Sequence, residues 1–523
     1  MESVQGAFIT KPEASTALSR LISTPSRFLR LVALYFGVQI VLRLITSPTA
    51  DLDESEQLIF TQVFQLGYGP QPPLYTWLQM VFFQVFGVSL FSMALMKNLL
   101  LFGAFYFTYD SARRITGEHR AGVTAALMLF MFPHIVWESQ RDLTHTVLAA
   151  TMAILTLNVF LALHERPRLW KYLLFGTCLG LGTLSNYNYA FLGLGLVCAG
   201  ALCKPWRRTV LDVRMLAGLV VVAALVAPHL EWVFSHRDLV LVSVNKFDTQ
   251  SNLTSLRAAW MGLSKLALSV LAVPAPALAV WMLVTWGKPG RTREKTAGAR
   301  NLILTAIGMP VLGIAVLALV FHATHFKERW FEPLMIVAPV LFVAAFDAWS
   351  KPLPTLRLMR IAMGVGALIC VAIPGRIWLA EPMRRHELLN APFDKLTRSI
   401  AARSDQAGFA AAGNFWIAGN VRLRAPGLPV FCPGFIVPEL ARPSANCLVV
   451  WDASQSVAIP PELTGPLAGV VDLSKPPLAI ETTEAGLRQY RHERMKLGVA
   501  LFPSKMTAAS STRTNIHSAL AAP

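Results

Sequence analysis

FLRLVALYFGVQIVLRLITSPTADLDESE, residues 28–56, decides how the chain is to be read. Its apolar part has about the 20-residue length that an α-helix needs to cross hydrocarbon. It runs directly into four carboxylates, Asp51, Asp53, Glu54 and Glu56. Residues 44–96 contain no lysine or arginine, although the chain carries 47 of them. Cationic residues keep a loop cytoplasmic, so this acidic connection is expected on the outer face of a membrane. Arg43 is the nearest cation in sequence. Carboxylates held at a membrane edge are costly unless something uses them.

Composition agrees with a membrane protein. Hydrophobic residues make up 54% of the 523, charged residues 15%, and mean hydropathy is +0.50. Soluble domains carry roughly 25% charged residues. The net charge of +17 is distributed in clusters: Arg27/Arg30, Arg113/Arg114/Arg120, Arg166/Arg168/Lys171, Lys204/Arg207/Arg208/Arg214, Lys288/Arg291/Arg293/Lys295/Arg300 and Lys351/Arg357/Arg360. These fall between apolar windows at alternate connections, which is the positive-inside pattern and not a nucleic-acid surface. The first 27 residues lack a compact apolar core and are expected to form a cytoplasmic tail, not a cleaved signal.

Parity of the basic clusters predicts an all-α polytopic domain over 28–380 with about 11–13 transmembrane helices, each near the 20-residue length. The first outer loop covers 51–92. Within it, 73–86 is apolar but short and carries Gln79 and Gln84, so it is expected to lie at or re-enter the surface. Spans are expected near 93–109, 121–137, 143–163, 170–185, 189–203, 215–233, 258–286, 301–321, 332–349 and 357–378. The outer connections are then 137–145, 185–189, 231–255 and 322–332. From 381 short apolar runs at 408–412, 428–431, 447–452 and 467–473 alternate with Pro/Gly-rich pieces, predicting a small extracytoplasmic α/β domain over 381–505. The Ala/Ser/Thr-rich tail, 506–523, is expected to be disordered. Of six cysteines, Cys432 and Cys447 fall in the C-terminal domain, where a disulfide is chemically allowed outside the cytoplasm.

Several segments can carry chemistry. Asp53 and Glu56 have capping-box spacing, and a cap accounts for one or two carboxylates at about 1 kcal/mol each. It does not account for four. The segment Gly67-Tyr68-Gly69-Pro70-Gln71-Pro72-Pro73-Leu74-Tyr75-Thr76-Trp77 is a rigid turn opening a helix, as proline in a first turn favours. Asp142 follows Arg141 in the second outer loop. The loop His322-Ala323-Thr324-His325-Phe326-Lys327-Glu328-Arg329-Trp330 is cationic although placed outside, so it needs a reason beyond topology. Interfacial snorkelling is one; a phosphate grip by Lys327, Arg329 and His325 is another. Asn186 and Asn188, between tyrosines, and Lys246 with Asp248 could line a sugar pocket or simply end a bundle.

Together these motifs resemble the GT-C membrane glycosyltransferases, in the branch containing protein O-mannosyltransferases, lipid A aminoarabinose transferases and rhizobial galacturonosyltransferases. The likeness rests on Asp53-Glu54, then Pro72-Pro73-Leu74-Tyr75-Thr76-Trp77-Leu78, then Phe86-Gly87. Many relatives carry a lysine before the two prolines; this chain has Gln71. The resemblance implies a catalytic role for Asp53, Glu54 and Asp142, with Gln71 and Tyr75 near the substrate. It implies a polyprenyl-phosphate sugar donor, a lipid A, lipopolysaccharide core or other envelope acceptor, and inverting transfer at the periplasmic face of a bacterial inner membrane. No cofactor is required by it and no metal site is assigned, although a carboxylate cluster can hold a divalent cation. The other class compatible with the sequence is a transporter or flippase whose acidic loop gates a cationic solute. That class expects charges along a membrane pathway, and the predicted spans are poor in them.

Overall fold

The computed structural model describes residues 17–241, 255–286, 294–345, 353–437, 446–454, 458–467, 471 and 476–503. Lys246, Asp248 and the tail from Met506 lie outside the described residues.

The first span, Pro25–Thr46, starts at Thr24, whose hydroxyl accepts from Arg27 N–H, with proline in the first turn. Proline suits that position because its missing N–H would have no helical partner. Six helices are long and apolar enough to cross a membrane: Pro25–Thr46, Leu90–Thr116, His145–Glu165, Arg214–Ser235, Thr296–Phe321 and Thr355–Trp378. Three bent pairs raise the number to nine among the described residues. The apolar window at 73–86 is not among these candidates. Leu74–Phe86 has 13 residues, about 20 Å at 1.5 Å per residue, which cannot cross some 30 Å of hydrocarbon. It stops at Gly87, whose φ of +76° suits glycine.

His145–Glu165 is the central helix, with 83% of its apolar window buried, against 17% for Arg214–Ser235. Small residues let helices approach closely without help from the hydrophobic effect. A Cβ on Gly176 would lie 2.2 Å from the Gly218 carbonyl oxygen, so helices Leu169–Thr183 and Arg214–Ser235 are in backbone contact.

The predicted outer connections converge on one end of the bundle. Leu74 N–H donates to Leu184 O at 3.0 Å, His229 meets Leu66 O at 2.7 Å, and Gln57 meets His145 at 3.2 Å. The basic connections meet at the other end, where His119 reaches Ile22 O and Arg114 pairs with Glu165.

The C-terminal part is a five-stranded mixed sheet. β1 (Ala407–Ala412) lies between β2 (Val430–Phe431) and β3 (Asn446–Asp452), both parallel to it. β4 (Ala479–Leu487) and β5 (Tyr490–Phe502) form an antiparallel hairpin, with β5 against β3. Two apolar clusters cover its faces. Cys432 belongs to one and Cys447 to the other, and both thiols are free, so the sheet keeps them from forming the disulfide that the sequence allowed.

The sheet domain is seated on the acidic loop. Helix Phe415–Arg424 packs on helix Leu52–Phe60 so closely that a Cβ on Gly419 would lie 2.4 Å from Ser55 Cα. Asn420 accepts from Ala50 N–H at 2.8 Å and donates to Ala50 O at 3.1 Å. Gln62 makes the matching pair with Val430, both at 2.8 Å. Ser47 and Thr49 hydroxyls donate to Leu389 O and Ala391 O.

Candidate active site

The helix Leu52–Phe60 sorts its carboxylates by position. Asp51 is the N-cap: its Oδ1 accepts from Leu52 N–H at 2.8 Å, and its own N–H donates to Glu54 Oε2 at 3.0 Å. Glu54 is further gripped by Arg43, which donates Nε to Oε1 at 2.9 Å and Nη2 to Oε2 at 2.5 Å. Arg43 also holds the Ser47 and Thr49 carbonyls, at 2.8 and 2.9 Å. It therefore turns inward, with its side chain 12% exposed, instead of snorkelling to the interface. Burial alone would raise the Glu54 carboxyl, but Arg43 holds it below its usual range.

Asp53, next along the helix, has a different environment. Among the described residues its one hydrogen bond is long, from Thr144 Oγ1 at 3.4 Å. Burial pushes its carboxyl up to about 6; Asp142 adds to the rise, while Lys97 and Arg329 oppose it. Asp51 is pushed up to about 7, by burial first and then by Glu54 and Asp142. The site thus holds one carboxylate fixed by a buried arginine, and two whose protonation lies near neutrality because they are desolvated and crowded.

The other predicted residues are distributed around this centre. Asp142 is half-exposed, 3.5 Å from Arg141, and acts electrostatically on both Asp51 and Asp53. Arg329, in the turn Glu328–Trp330, comes from the far side of the sequence to act on Asp53. Lys327 is half-buried just before that turn, and the His325 ring stands edge-on to Trp330 at 6.3 Å. Tyr75 is 1% exposed, its ring 5.2 Å from that of His145. Gln71 is used by its backbone, which bridges to Tyr68 in both directions across Gly69 at φ +54°. Asn186 Oδ1 accepts from Asn188 N–H at 3.1 Å, so this pair shapes the turn that Leu74 binds. Among the described residues no group of three His, Cys, Asp or Glu side chains is arranged to hold a metal ion.

Sequence inspection missed three contributors. Lys97, 6% exposed in the span Leu90–Thr116, acts on both Asp53 and Glu54. Its signal was present: it is the lysine that ends the cation-free stretch, and it does so inside an apolar window, where an ionisable residue marks function by default. Arg376, at the end of Thr355–Trp378, lies within electrostatic reach of Asp142 and Asp51 and 3.4 Å from Glu387. Gln57 links Thr76 to His145, at 2.9 and 3.2 Å, and so fixes the three outer segments to one another.

Comparison with known proteins gives one consistent answer. Residues 70–232 match the family described as dolichyl-phosphate-mannose-protein mannosyltransferase. The chain is 32% identical to the lipopolysaccharide core galacturonosyltransferase RgtB of Rhizobium johnstonii over 465 residues, covering 86% of this chain and 92% of that protein. It is 30% identical to the core galacturonosyltransferase RgtA of the same organism, covering 83% and 88%. Its fold matches the crystal structure of ArnT from Cupriavidus metallidurans bound to undecaprenyl phosphate, with a TM-score of 0.54 and 15% identity over 91% of this chain and 98% of that one. With a relative at 32% identity aligned along nearly its whole length, the chain belongs to the GT-C membrane glycosyltransferases, in the branch of the lipopolysaccharide core galacturonosyltransferases.

Proposed function

We propose that this glycosyltransferase moves a galacturonosyl residue from a polyprenyl-phosphate donor to the lipopolysaccharide core, at the periplasmic face of the inner membrane. The sugar and acceptor are argued from the likeness to two core galacturonosyltransferases. The observation that carries the reaction is Asp53: a desolvated carboxylate with no ion pair among the described residues, within electrostatic reach of Lys97, Asp142 and Arg329 where the outer loops meet.

The step is a single displacement. Asp53 accepts the proton of an acceptor hydroxyl as that oxygen forms a bond to the sugar's C1. The C1–O bond to phosphate breaks, and the phosphate leaves with its electron pair, inverting the anomeric centre. A base with a pKa of about 6 suits this role, because it is stronger than an ordinary carboxylate yet mostly ionised near pH 7. Arg329 and Lys327 stabilise the charge growing on the leaving phosphate. Asp142 orients the acceptor, and Glu54, held by Arg43, keeps the helix in place. If the acceptor is a phosphate, no base is needed and Asp53 positions the sugar.

An apolar crevice of about 240 Å³ between the first and last spans, lined in part by Phe28, Tyr35, Met359, Gly366 and Cys370, suits the prenyl chain. These same helices carry Arg43 and Arg376 to the site.

The test is Asp53→Asn, with mass spectrometry of lipid A and core from cells carrying it. The expected result is loss of the transferred sugar with normal membrane insertion. Wild-type incorporation by a stably inserted variant overturns the assignment.

A further inference from the structure

Lys97 sits seven residues after Leu90, about 10 Å along the helix at 1.5 Å per residue. It is 6% exposed, and among the described residues its ammonium has no hydrogen-bond or ion-pair partner. Three other cations of these helices are matched, Arg43 by Glu54, and Arg113 and Arg114 by Asp110. A buried charge at membrane depth without a counter-ion within 4 Å is costly to maintain, and such residues mark substrate paths. The carboxylates it acts on do not satisfy it: Glu54 is taken by Arg43, and Asp53 interacts with it only over a longer distance. Its neighbour Asn98 accepts from Gln140 at 2.9 Å, which fixes this turn of the helix against the second outer loop. An ammonium has three donors, and here all three remain available to a ligand. Arg329, from a segment more than two hundred residues later, acts on the same Asp53. Two cations on separate elements thus flank the carboxylate that is to receive the acceptor's proton.

We propose that Lys97 binds the phosphate of the lipid-linked donor and of the polyprenyl-phosphate product, across the space that it shares with Asp53 and Arg329. This rests on the glycosyl-transfer reading above. It supplies, from inside a span, a cationic phosphate ligand although Gln71 stands before the two prolines.

The test measures binding of undecaprenyl phosphate and of undecaprenol, the same lipid without the phosphate, to purified full-length protein. The variants are Lys97→Gln, Lys97→Met and Lys97→Arg, each checked for thermal stability in micelles. Lys97→Gln or Lys97→Met is expected to weaken undecaprenyl phosphate binding about ten- to a hundredfold, the worth of one charge-assisted hydrogen bond. Undecaprenol binding should not change, and Lys97→Arg should recover most of the affinity. Unchanged phosphate affinity in the stable neutral variants overturns the proposal. In that case a shifted acidic limb of the pH–rate profile would assign Lys97 to holding Asp53 ionised, and a loss specific to the uronic donor would assign it to the sugar carboxylate. If the wild-type protein does not prefer undecaprenyl phosphate to undecaprenol, the glycosyl-transfer reading fails with it. If only Arg329→Gln loses the preference, that reading stands and the role of Lys97 does not.

Discussion

Replacing Arg43 with methionine should damage this protein more than replacing any exposed arginine. The side chain makes two bonds to Glu54 and one each to the Ser47 and Thr49 carbonyls, with the two charged side chains 12% and 6% exposed. Methionine retains the stem and removes all four bonds. It leaves a buried carboxylate without its counter-charge, and such a change costs about 3–5 kcal/mol. That corresponds to a factor of roughly 10² to 10⁴ in the folding equilibrium. Glu54→Gln removes the charge but retains an oxygen for Arg43, so its cost should be smaller, about 1–3 kcal/mol. The double variant Arg43→Met/Glu54→Gln removes both charges and should recover part of the loss; the difference from additivity measures the pair. The assay is thermal unfolding in micelles with protease resistance of the 47–62 segment. Wild-type stability in Arg43→Met would refute the reasoning, because it would mean that Glu54 protonates or finds another partner at no cost. Unlike Asp53→Asn, these variants should lose activity in proportion to folded protein.

Transfer to a hydroxyl acceptor should fall on the acid side with an apparent pKa near 6, since Asp53 loses its basic form as pH drops through its raised value; a limb near 4 in the pH dependence of kcat/KM would contradict the burial of that carboxylate. Gly419→Leu should unseat the C-terminal domain, because its Cβ alone would stand 2.4 Å from Ser55 Cα. Overpacking of this kind costs about 1–3 kcal/mol, and limited proteolysis should then release the sheet domain while the span helices persist. Reductant should change neither mobility on a gel nor melting temperature, as Cys432 and Cys447 lie in clusters on opposite faces of the sheet; a reductant-dependent band would disprove that placement.

Fold class was legible because it is written in composition and charge. The run 28–46, the cation-free stretch to Met96 and the alternating basic clusters place the ends of the spans without any contact being known. Hydropathy reads windows and not helix breaks, so the bend between Leu256–Ala272 and Ala275–Thr285, inside the window 258–286, was not legible. The hairpin of β4 and β5 was missed because Glu481, Thr482, Thr483 and Glu484 leave Ala479–Leu487 without an apolar run. Within the acidic loop, the four carboxylates were alike in sequence. What separates Glu54 from Asp53 is the inward turn of Arg43, a tertiary fact. Lys97 was legible in principle as a charge within a span, but its relation to Asp53 depends on how that helix packs.

The seat between residues 47–62 and the sheet domain also sets an order of events during synthesis. The acidic loop leaves the ribosome early, while the backbone atoms that Ser47 and Thr49 bind arrive 342 residues later. At 5–20 residues per second, that interval is roughly 20–70 s. Through it, the loop lacks the partners that hold Ala50 and Gln62 in place. A nascent or truncated chain therefore inserts into the membrane without a finished centre. The loop takes its final shape only when the later-made sheet domain packs on it.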